Sequence, residues 1–358
     1  MVDLSLSADR HEIGTMTPRM ASPERQFPAF NGFSLLPCLV TAVCIIIFTS
    51  SFAFAQDTAR AKSLPAGAFT ISVHVNMVVL HATVLDRKNA LVSGLGKENF
   101  QIFEDGVFQQ MKYFSHEDIP VTVGLVIDNS GSMAPRRSEV IAAALAFARS
   151  SNPKDQMFIV NFNEKVSFAL EDKTPFTNNV SQLEVALSTV RATGQTALYD
   201  AVDAALDHLS KGDRDKKILV IVSDGGDNAS KHRLESVLAK AKRSDAIIYS
   251  IGIFDERNGD QNPAVLRRLA TESGGQAFLP KSLNEVLPIC ERIARDIRGQ
   301  YTFAYVPINA IQDGTYRVVQ VRARATGQSR LFVRTRGGYF APAASASQAA
   351  TGKADEPR

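Results

Sequence analysis

Residues 121–133 read VTVGLVIDNSGSM, an apolar run that ends abruptly in a short polar loop. An uncharged run such as 121–127 is typical of a strand that is covered on both faces of a parallel sheet. The loop after it contains one carboxylate and two hydroxyls, Asp128, Ser130 and Ser132, and helical periodicity follows Pro135. Because ligands bind at the carboxyl ends of the strands in open α/β sheets, this loop lies where a binding site is expected.

Short apolar runs alternate with helical periodicity from residue 119 to residue 298. The further runs are residues 157–160, 218–222 and 247–253. The helix-period segments are residues 140–148, 198–209, 234–241 and 264–270. Asn163 and Glu164 separate residues 157–162 from residues 166–170, which predicts one antiparallel edge strand. The alternation predicts an α/β fold with a doubly wound, mostly parallel sheet.

The segments on either side of this α/β region have the patterns of β-strands. Residues 68–117 contain an alternating run at 70–85 and a hairpin signal at Glu104-Asp105-Gly106, so they predict an N-terminal β segment. Residues 299–340 predict a C-terminal β segment, with strands at residues 301–306, 316–325 and 330–335. Neither segment is large enough to be stable alone, so we expect the two to pack together as a smaller all-β unit.

The N-terminal part of the chain contains an uncharged run, FSLLPCLVTAVCIIIFTSSFAFA, at residues 33–55. Its end, Ala53-Phe54-Ala55, has the small residues of a signal-peptidase site, and its length also suits a membrane anchor. Residues 1–55 are therefore interpreted as a signal peptide or a membrane anchor, residues 56–67 as a linker and residues 341–358 as a disordered tail. Either interpretation predicts an exported protein, periplasmic or secreted, with anchoring only through residues 33–55.

Composition excludes several classes of protein and changes the meaning of the cysteines. The chain has 358 residues, 45% hydrophobic and 22% charged, with a formal charge of +3 from 40 basic and 37 acidic side chains. This near balance lacks the basic excess of a nucleic-acid-binding protein. Cys38 and Cys44 lie inside the N-terminal run, so removal of that run leaves only Cys290, for which a buried core position is expected.

Two further loops carry oxygen ligands of the same kind as the 128–132 loop. Gly194-Gln195-Thr196 precedes a predicted helix, and Ser223-Asp224-Gly225 closes a buried strand. If these loops converge at one sheet edge, they bring together the side chains of Asp128, Ser130, Ser132, Thr196 and Asp224. Such oxygen ligands suit Mg²⁺, Mn²⁺ or Ca²⁺ better than zinc. For Asp128, Ser130 and Thr196 taken singly, capping of the following helix accounts for the residue type equally well.

The three motifs DNSGSM, GQTALYDA and VSDGGDN, in this order, resemble the metal-ion-dependent adhesion site of von Willebrand factor type A domains. The resemblance covers residues 119–298 and implies that Ser130, Ser132 and Thr196 are hydroxyl ligands of the metal. It also implies that Asp128 and Asp224 bind the metal directly or through water. Beyond this region, FQIFEDGVFQQMKYFSHEDIP, RGQYTFAYVP and TRGGYFAP resemble exported bacterial proteins of a type A domain-related group common in acidobacteria.

Catalytic motifs do not account for these residues. A haloacid dehalogenase-type phosphatase needs a second Asp where Ser130 stands, and no phosphate-binding loop with Gly-Lys-Ser/Thr is present. A serine hydrolase would need Gly-x-Ser-x-Gly and a histidine base, whereas His208 and His232 are assigned to helical segments. The sequence therefore predicts a protein that is not an enzyme.

The resemblance implies an exported adhesion-type module that binds a protein ligand through Mg²⁺. In this hypothesis an acidic side chain of the partner completes the metal coordination. Nucleic acid is not a partner, and the membrane is contacted only through an uncleaved N-terminal segment. The alternative is a structural or assembly component of a cell-envelope complex, in which the type A fold is a scaffold and the metal only stabilises its loops.

Overall fold

A computed structural model describes residues 77–254, 259–327 and 330–343 of the chain. The predicted signal peptide or anchor at residues 1–55 and the predicted linker at residues 56–67 lie outside these ranges. No helix among the described residues is long and apolar enough to cross a membrane.

The central sheet has six strands among the described residues: β5 Val121–Asp128, β6 Gln156–Phe162, β7 Val166–Phe168, β8 Lys216–Ser223, β9 Ala246–Gly252 and β10 Ala277–Phe278. Their order in the sheet is β10-β9-β8-β5-β6-β7. The pairings among β5, β6, β8, β9 and β10 are parallel, and the edge strand β7 is antiparallel to β6. The doubly wound, mostly parallel sheet and its antiparallel edge are thus confirmed.

Six α-helices in the described part of the chain cover the two faces of this sheet. Their bounds are α1 Arg137–Ser150, α2 Val180–Ser188, α3 Leu198–Leu209, α4 Leu234–Arg243, α5 Pro263–Glu272 and α6 Val286–Arg298. One buried cluster joins α1, α2 and α6 to one face, and a second joins α3, α4 and α5 to the other. Consecutive strand residues such as Leu125 and Val126 belong to different clusters, because side chains alternate across a strand. Cys290 of α6 is 1% exposed, and burial raises the pKa of its thiol to about 12.

The flanking segments form two four-stranded sheets that share one core. The strand bounds are β1 Val78–Leu85, β2 Phe100–Glu104, β3 Val107–Gln109, β4 Met111–Ser115, β11 Tyr301–Tyr305, β12 Tyr316–Ala323, β13 Phe332–Arg334 and β14 Gly338–Phe340. The sheet orders are β13-β1-β11-β4 and β14-β12-β2-β3. Each sheet therefore combines strands from before and after the α/β region, and the predicted all-β unit is a small two-sheet sandwich.

The turn between β2 and β3 has the backbone that its sequence predicts. Asp105 and Gly106 have φ angles of 47° and 83°, which is the left-handed conformation of a two-residue hairpin turn. The start of the predicted disordered tail is wrong. Ala341 is 4% exposed and its backbone N–H donates to the carbonyl of Thr315 at 2.9 Å, because the chain continues from β14 along the sandwich. Residues 344–358 lie outside the described residues.

His81 of β1 gives the sandwich a predicted acid sensitivity. Its Nδ1 lies 3.1 Å from Thr302 Oγ1, and burial, followed by the charges of Lys216 and Arg336, lowers its pKa to about 3. A pKa below the unfolded value means that the neutral ring stabilises the fold above about pH 6.5 and that this contribution is lost as the pH falls towards 3. We therefore expect His81 to make the unfolding free energy about 2 kcal/mol lower at pH 5 than at pH 7.5.

Urea unfolding at pH 7.5 and pH 5.0 measures this cost. His81→Gln keeps a hydrogen-bonding side chain that does not titrate, so we expect it to lose about 2 kcal/mol less than the unsubstituted protein between the two pH values. His116→Gln is the control, because His116 Nε2 contacts the carbonyl of Gly299 at 3.2 Å in the same part of the fold. Equal pH dependence in the His81→Gln variant and the unsubstituted protein would contradict the assignment.

Candidate functional site

Three loops meet at the carboxyl edge of the central sheet. The loop after β5 carries Asp128, Ser130 and Ser132, the loop before α3 carries Thr196, and Asp224 directly follows β8. Two backbone hydrogen bonds join the first two loops: Gly131 N–H donates to the carbonyl of Gly194 at 3.0 Å, and Thr193 N–H donates to the carbonyl of Asn129 at 2.8 Å. The loops that the sequence singled out are therefore adjacent.

A chain of contacts, one from the backbone and two between side chains, links both carboxylates through the two serines. Asp128 Oδ1 accepts a hydrogen bond from the backbone N–H of Ser130 at 2.9 Å. The hydroxyls of Ser130 and Ser132 lie 3.1 Å apart, and Ser132 Oγ donates to Asp224 Oδ2 at 2.8 Å. A serine hydroxyl that donates its proton to a carboxylate still has lone pairs with which it can bind a cation.

Ser223 is a site residue that the sequence reasoning missed. Its hydroxyl donates to Asp128 Oδ2 at 2.6 Å, across the boundary between β8 and β5. Ser223 is the last residue of β8 and is fully buried, so it holds the inner oxygen of the Asp128 carboxylate. The sequence signal for this role is a hydroxyl residue at the end of a strand that neighbours β5. It can be recognised only when the order of the strands in the sheet is known.

Burial dominates the electrostatics of Asp128. The residue is 2% exposed, and burial raises the pKa of its carboxyl to about 6. Hydrogen bonds from Ser130 and Ser223 lower the pKa, whereas the negative charge of Asp224 raises it. No basic side chain of the described residues lies within ion-pair distance of Asp128. The site therefore holds a buried carboxylate next to a second acidic residue.

Thr196 is fixed by the loop that follows β8. Its N–H donates to Asn228 Oδ1 at 2.9 Å, and its carbonyl accepts from the N–H groups of Asn228 at 2.9 Å and Ala229 at 3.0 Å. Helix α3 has Ala197 at its N-cap and no side-chain capping bond, so Thr196 does not cap it. Ser130 occupies the N-cap position of the 3₁₀ turn Gly131–Arg136, also without a side-chain capping bond. Neither hydroxyl is used as a helix cap.

Asp200 on α3 binds the same loop rather than extending the acidic site. Its carboxylate accepts from the backbone N–H of Lys231 at 3.0 Å and of His232 at 2.9 Å, and it contacts His232 Nδ1 at 2.7 Å. The assignment of His232 to a helical segment is wrong, because the residue lies in the loop before α4. Asp227 on this loop accepts from Tyr199 N–H at 3.2 Å. The loop after Asp224 is thus held against the first turn of α3.

The side chains at this edge suit a hard divalent cation. The two buried carboxylates and the three hydroxyls offer only oxygen atoms as ligands. Among the described residues, no group of three or more His, Cys, Asp or Glu side chains is placed to hold a metal ion. Oxygen ligands favour Mg²⁺, Mn²⁺ or Ca²⁺, and a cation would offset both the burial of the Asp128 carboxylate, which is the main cause of its raised pKa, and the smaller repulsion from Asp224.

The comparisons with known proteins concern the α/β region. The von Willebrand factor type A domain family matches residues 122–290, which is the α/β region without the flanking strands. No curated protein matches the chain.

Three solved structures illustrate the similar folds. The BatB protein of Bacteroides thetaiotaomicron is 15% identical over 49% of this chain and 98% of its own, with a TM-score of 0.40. A von Willebrand factor type A protein of Catenulispora acidiphila is 14% identical over 76% of this chain and 74% of its own, with a TM-score of 0.45. The von Willebrand factor domain of the type V pili tip protein Mfa5 of Porphyromonas gingivalis is 13% identical over 50% of this chain and 97% of its own, with a TM-score of 0.41.

Proposed function

We propose that the von Willebrand factor type A domain formed by residues 122–290 binds a partner protein through a divalent cation. The cation is Mg²⁺, or Mn²⁺ or Ca²⁺ in its place. Ser130, Ser132 and Thr196 bind it through their hydroxyls, and Asp128 and Asp224 bind it directly or through water. A carboxylate of the partner completes the coordination, as in an adhesion-type module of an exported protein.

The contact of Ser132 with Asp224 carries this proposal. It joins the loop after β5 to the loop after β8 at 2.8 Å and places a hydroxyl between the two acidic residues. Burying the like charges of Asp128 and Asp224 together is unfavourable unless a cation or a proton is shared. A cation that retains an open coordination position supplies an electrophilic centre for an external carboxylate.

The surrounding residues prepare the site for such a ligand. Ser223 donates a hydrogen bond to the Asp128 carboxylate, and Asn228 accepts one from the backbone N–H of Thr196. Asp128 and Thr196 therefore need little rearrangement to bind a cation. Preorganised ligands lower the entropic cost of binding. The alternative, a scaffold whose metal only stabilises loops, predicts metal binding without metal-dependent capture of a partner.

Two measurements on the full chain test the proposal. Isothermal titration with MgCl₂ should give one site with a dissociation constant of about 1 mM or tighter. Capture from an envelope fraction should then require Mg²⁺ and be lost in EDTA. Asp207→Asn is the matched control, because Asp207 is an exposed carboxylate near the far end of α3, and it should behave as the unsubstituted protein. Capture that persists in EDTA would eliminate the cation bridge, and magnesium binding without any magnesium-dependent capture would favour the scaffold.

A further inference from the structure

A cavity of about 600 Å³ lies at the opposite end of α4 from the candidate metal site. The loop after Asp224 leads into the first turn of α4, and Lys242 and Arg243 in its last turn line the cavity. The sandwich supplies the other walls, through Val78 at the start of β1, the loop of residues 306–312, and β14. The cavity therefore lies between the α/β region and the sandwich, away from the candidate metal ligands.

The charged lining of this cavity is largely neutralised. Four cations face it: Lys242, Arg243, Arg317 and Arg336. Three of these have carboxylate partners, which are Glu272 for Lys242 at 3.0 Å, Glu104 for Arg317 at 3.3 Å, and Asp245 for Arg336. Among the described residues, the positive charge of Arg243 is left without a partner of this kind.

Arg243 is held in position by an aromatic ring. Its guanidinium carbon lies 4.6 Å from the centroid of Phe340, and no carboxylate of the described residues is within ion-pair distance of it. A guanidinium stacked on a ring keeps its N–H donors at the edge, where they can bind an anion in a defined direction. The cavity thus presents one oriented positive charge.

The loop that borders the cavity exposes large apolar side chains. Ile311 is 65% exposed, Met77 is 51% exposed and Val306 is 37% exposed, and all three line the cavity. The neighbouring Ile308 is 67% exposed. Apolar side chains concentrated around a concave site mark a binding surface more often than isolated exposed residues do.

Arg317 forms part of the polar floor. The residue is 2% exposed, and its Nε has no hydrogen-bond partner among the described residues. Its terminal nitrogens donate to the carbonyls of Asn309 and Ile311, which fixes the loop over the cavity.

We propose that this cavity binds an amphipathic monoanion, a single carboxylate or phosphodiester group attached to an apolar chain. Arg243 binds the charged group, and Ile311, Met77 and Val306 contact the apolar chain. The single unneutralised charge selects a monoanion, and the proposal is independent of the metal site.

Decanoate is the probe, used below its micelle-forming concentration with the full chain. Isothermal titration should give one site. Arg243→Ala should weaken binding about tenfold, because a charge-assisted hydrogen bond is lost. Ile311→Ser should also weaken it, because apolar contact is lost. Arg267→Ala is the control, because Arg267 is an exposed arginine on α5 outside the cavity. This variant should bind decanoate as tightly as the unsubstituted protein does.

Ligands that lack the apolar chain or the negative charge test the specificity of the cavity. Acetate, which lacks the chain, and decyltrimethylammonium, which carries the opposite charge, should both bind at least tenfold more weakly than decanoate. Equal decanoate affinity in Arg243→Ala and Arg267→Ala would overturn the proposal. Binding to phosphatidylglycerol vesicles without any binding of monomeric decanoate would also overturn it and would assign the charge to a membrane surface.

Discussion

Replacing Asp128 with alanine is expected to reduce magnesium affinity at least 100-fold while changing the stability of the metal-free protein by less than about 1 kcal/mol. The loss of affinity follows from the position of Asp128, which is buried and is bound by both Ser130 and Ser223. Without this carboxylate, the other proposed acidic ligand, Asp224, would have to neutralise the cation alone.

The small effect on stability follows from two opposing terms. Alanine leaves the Ser130 N–H and the Ser223 hydroxyl without their acceptor, which costs about 1–3 kcal/mol. It also removes a carboxyl whose pKa is raised to about 6 by burial. In the metal-free protein that raised pKa costs about 3 kcal/mol above pH 6, and the cost disappears as the carboxyl is protonated towards pH 4.

Thermal unfolding with and without MgCl₂ measures both parts of this prediction. The unsubstituted protein should be stabilised by about 1.4 kcal/mol at a magnesium concentration ten times its dissociation constant, and Asp128→Ala should show no shift. Asp207→Asn controls for the loss of one negative charge. An Asp128→Ala variant that binds magnesium normally would show that the proposed ligands are wrong, whereas one that unfolds without metal would assign Asp128 to the core.

The sequence predicted which side chains lie together at the candidate site better than it predicted the residues that hold them in place. Asp128, Ser130 and Ser132 lie within one loop, so their proximity follows from local spacing alone. Ser223 and Asn228 act across a strand boundary and between two loops, and these contacts depend on which strands are neighbours. A sequence pattern identifies the end of a strand, but it does not state which side chains meet there.

The same limit applies to the fold. The strands of the central sheet are long apolar runs, and their alternation with helices predicts parallel pairing. The sequence predicts that the two β segments pack together, but not which strands pair: β1 pairs with β11 and β2 pairs with β12, across more than 200 residues. Strands as short as β14, with three residues, carry too little periodicity to be recognised. The positions of such short strands depend on the hydrophobic core that the N-terminal and C-terminal β segments form together.

A buried ion pair inside this sandwich leads to the second large prediction. Glu104 at the end of β2 is 2% exposed and accepts from Tyr305 at 2.7 Å, from Tyr339 at 2.9 Å and from Arg317 at 3.3 Å. Its charge is one cause of the raised pKa of both tyrosines, although burial is the larger cause. The carboxylate thus connects β2 to β11, β12 and β14.

Glu104→Ala is expected to lower the unfolding free energy by about 3–5 kcal/mol, because it leaves Arg317 as an uncompensated buried charge and two tyrosine hydroxyls without an acceptor. Urea unfolding measures the loss. The double variant Glu104→Met with Arg317→Met removes both charges. We expect it to be at least about 2 kcal/mol more stable than Glu104→Ala, because the unpaired buried charge of Arg317 causes most of the loss of unfolding free energy in that variant. Arg322→Met on the same strand, β12, is the control, because Arg322 is exposed and stacks on Phe103 at 4.4 Å. If Glu104→Ala cost no more than Arg322→Met, the ion pair would not hold the two β segments together.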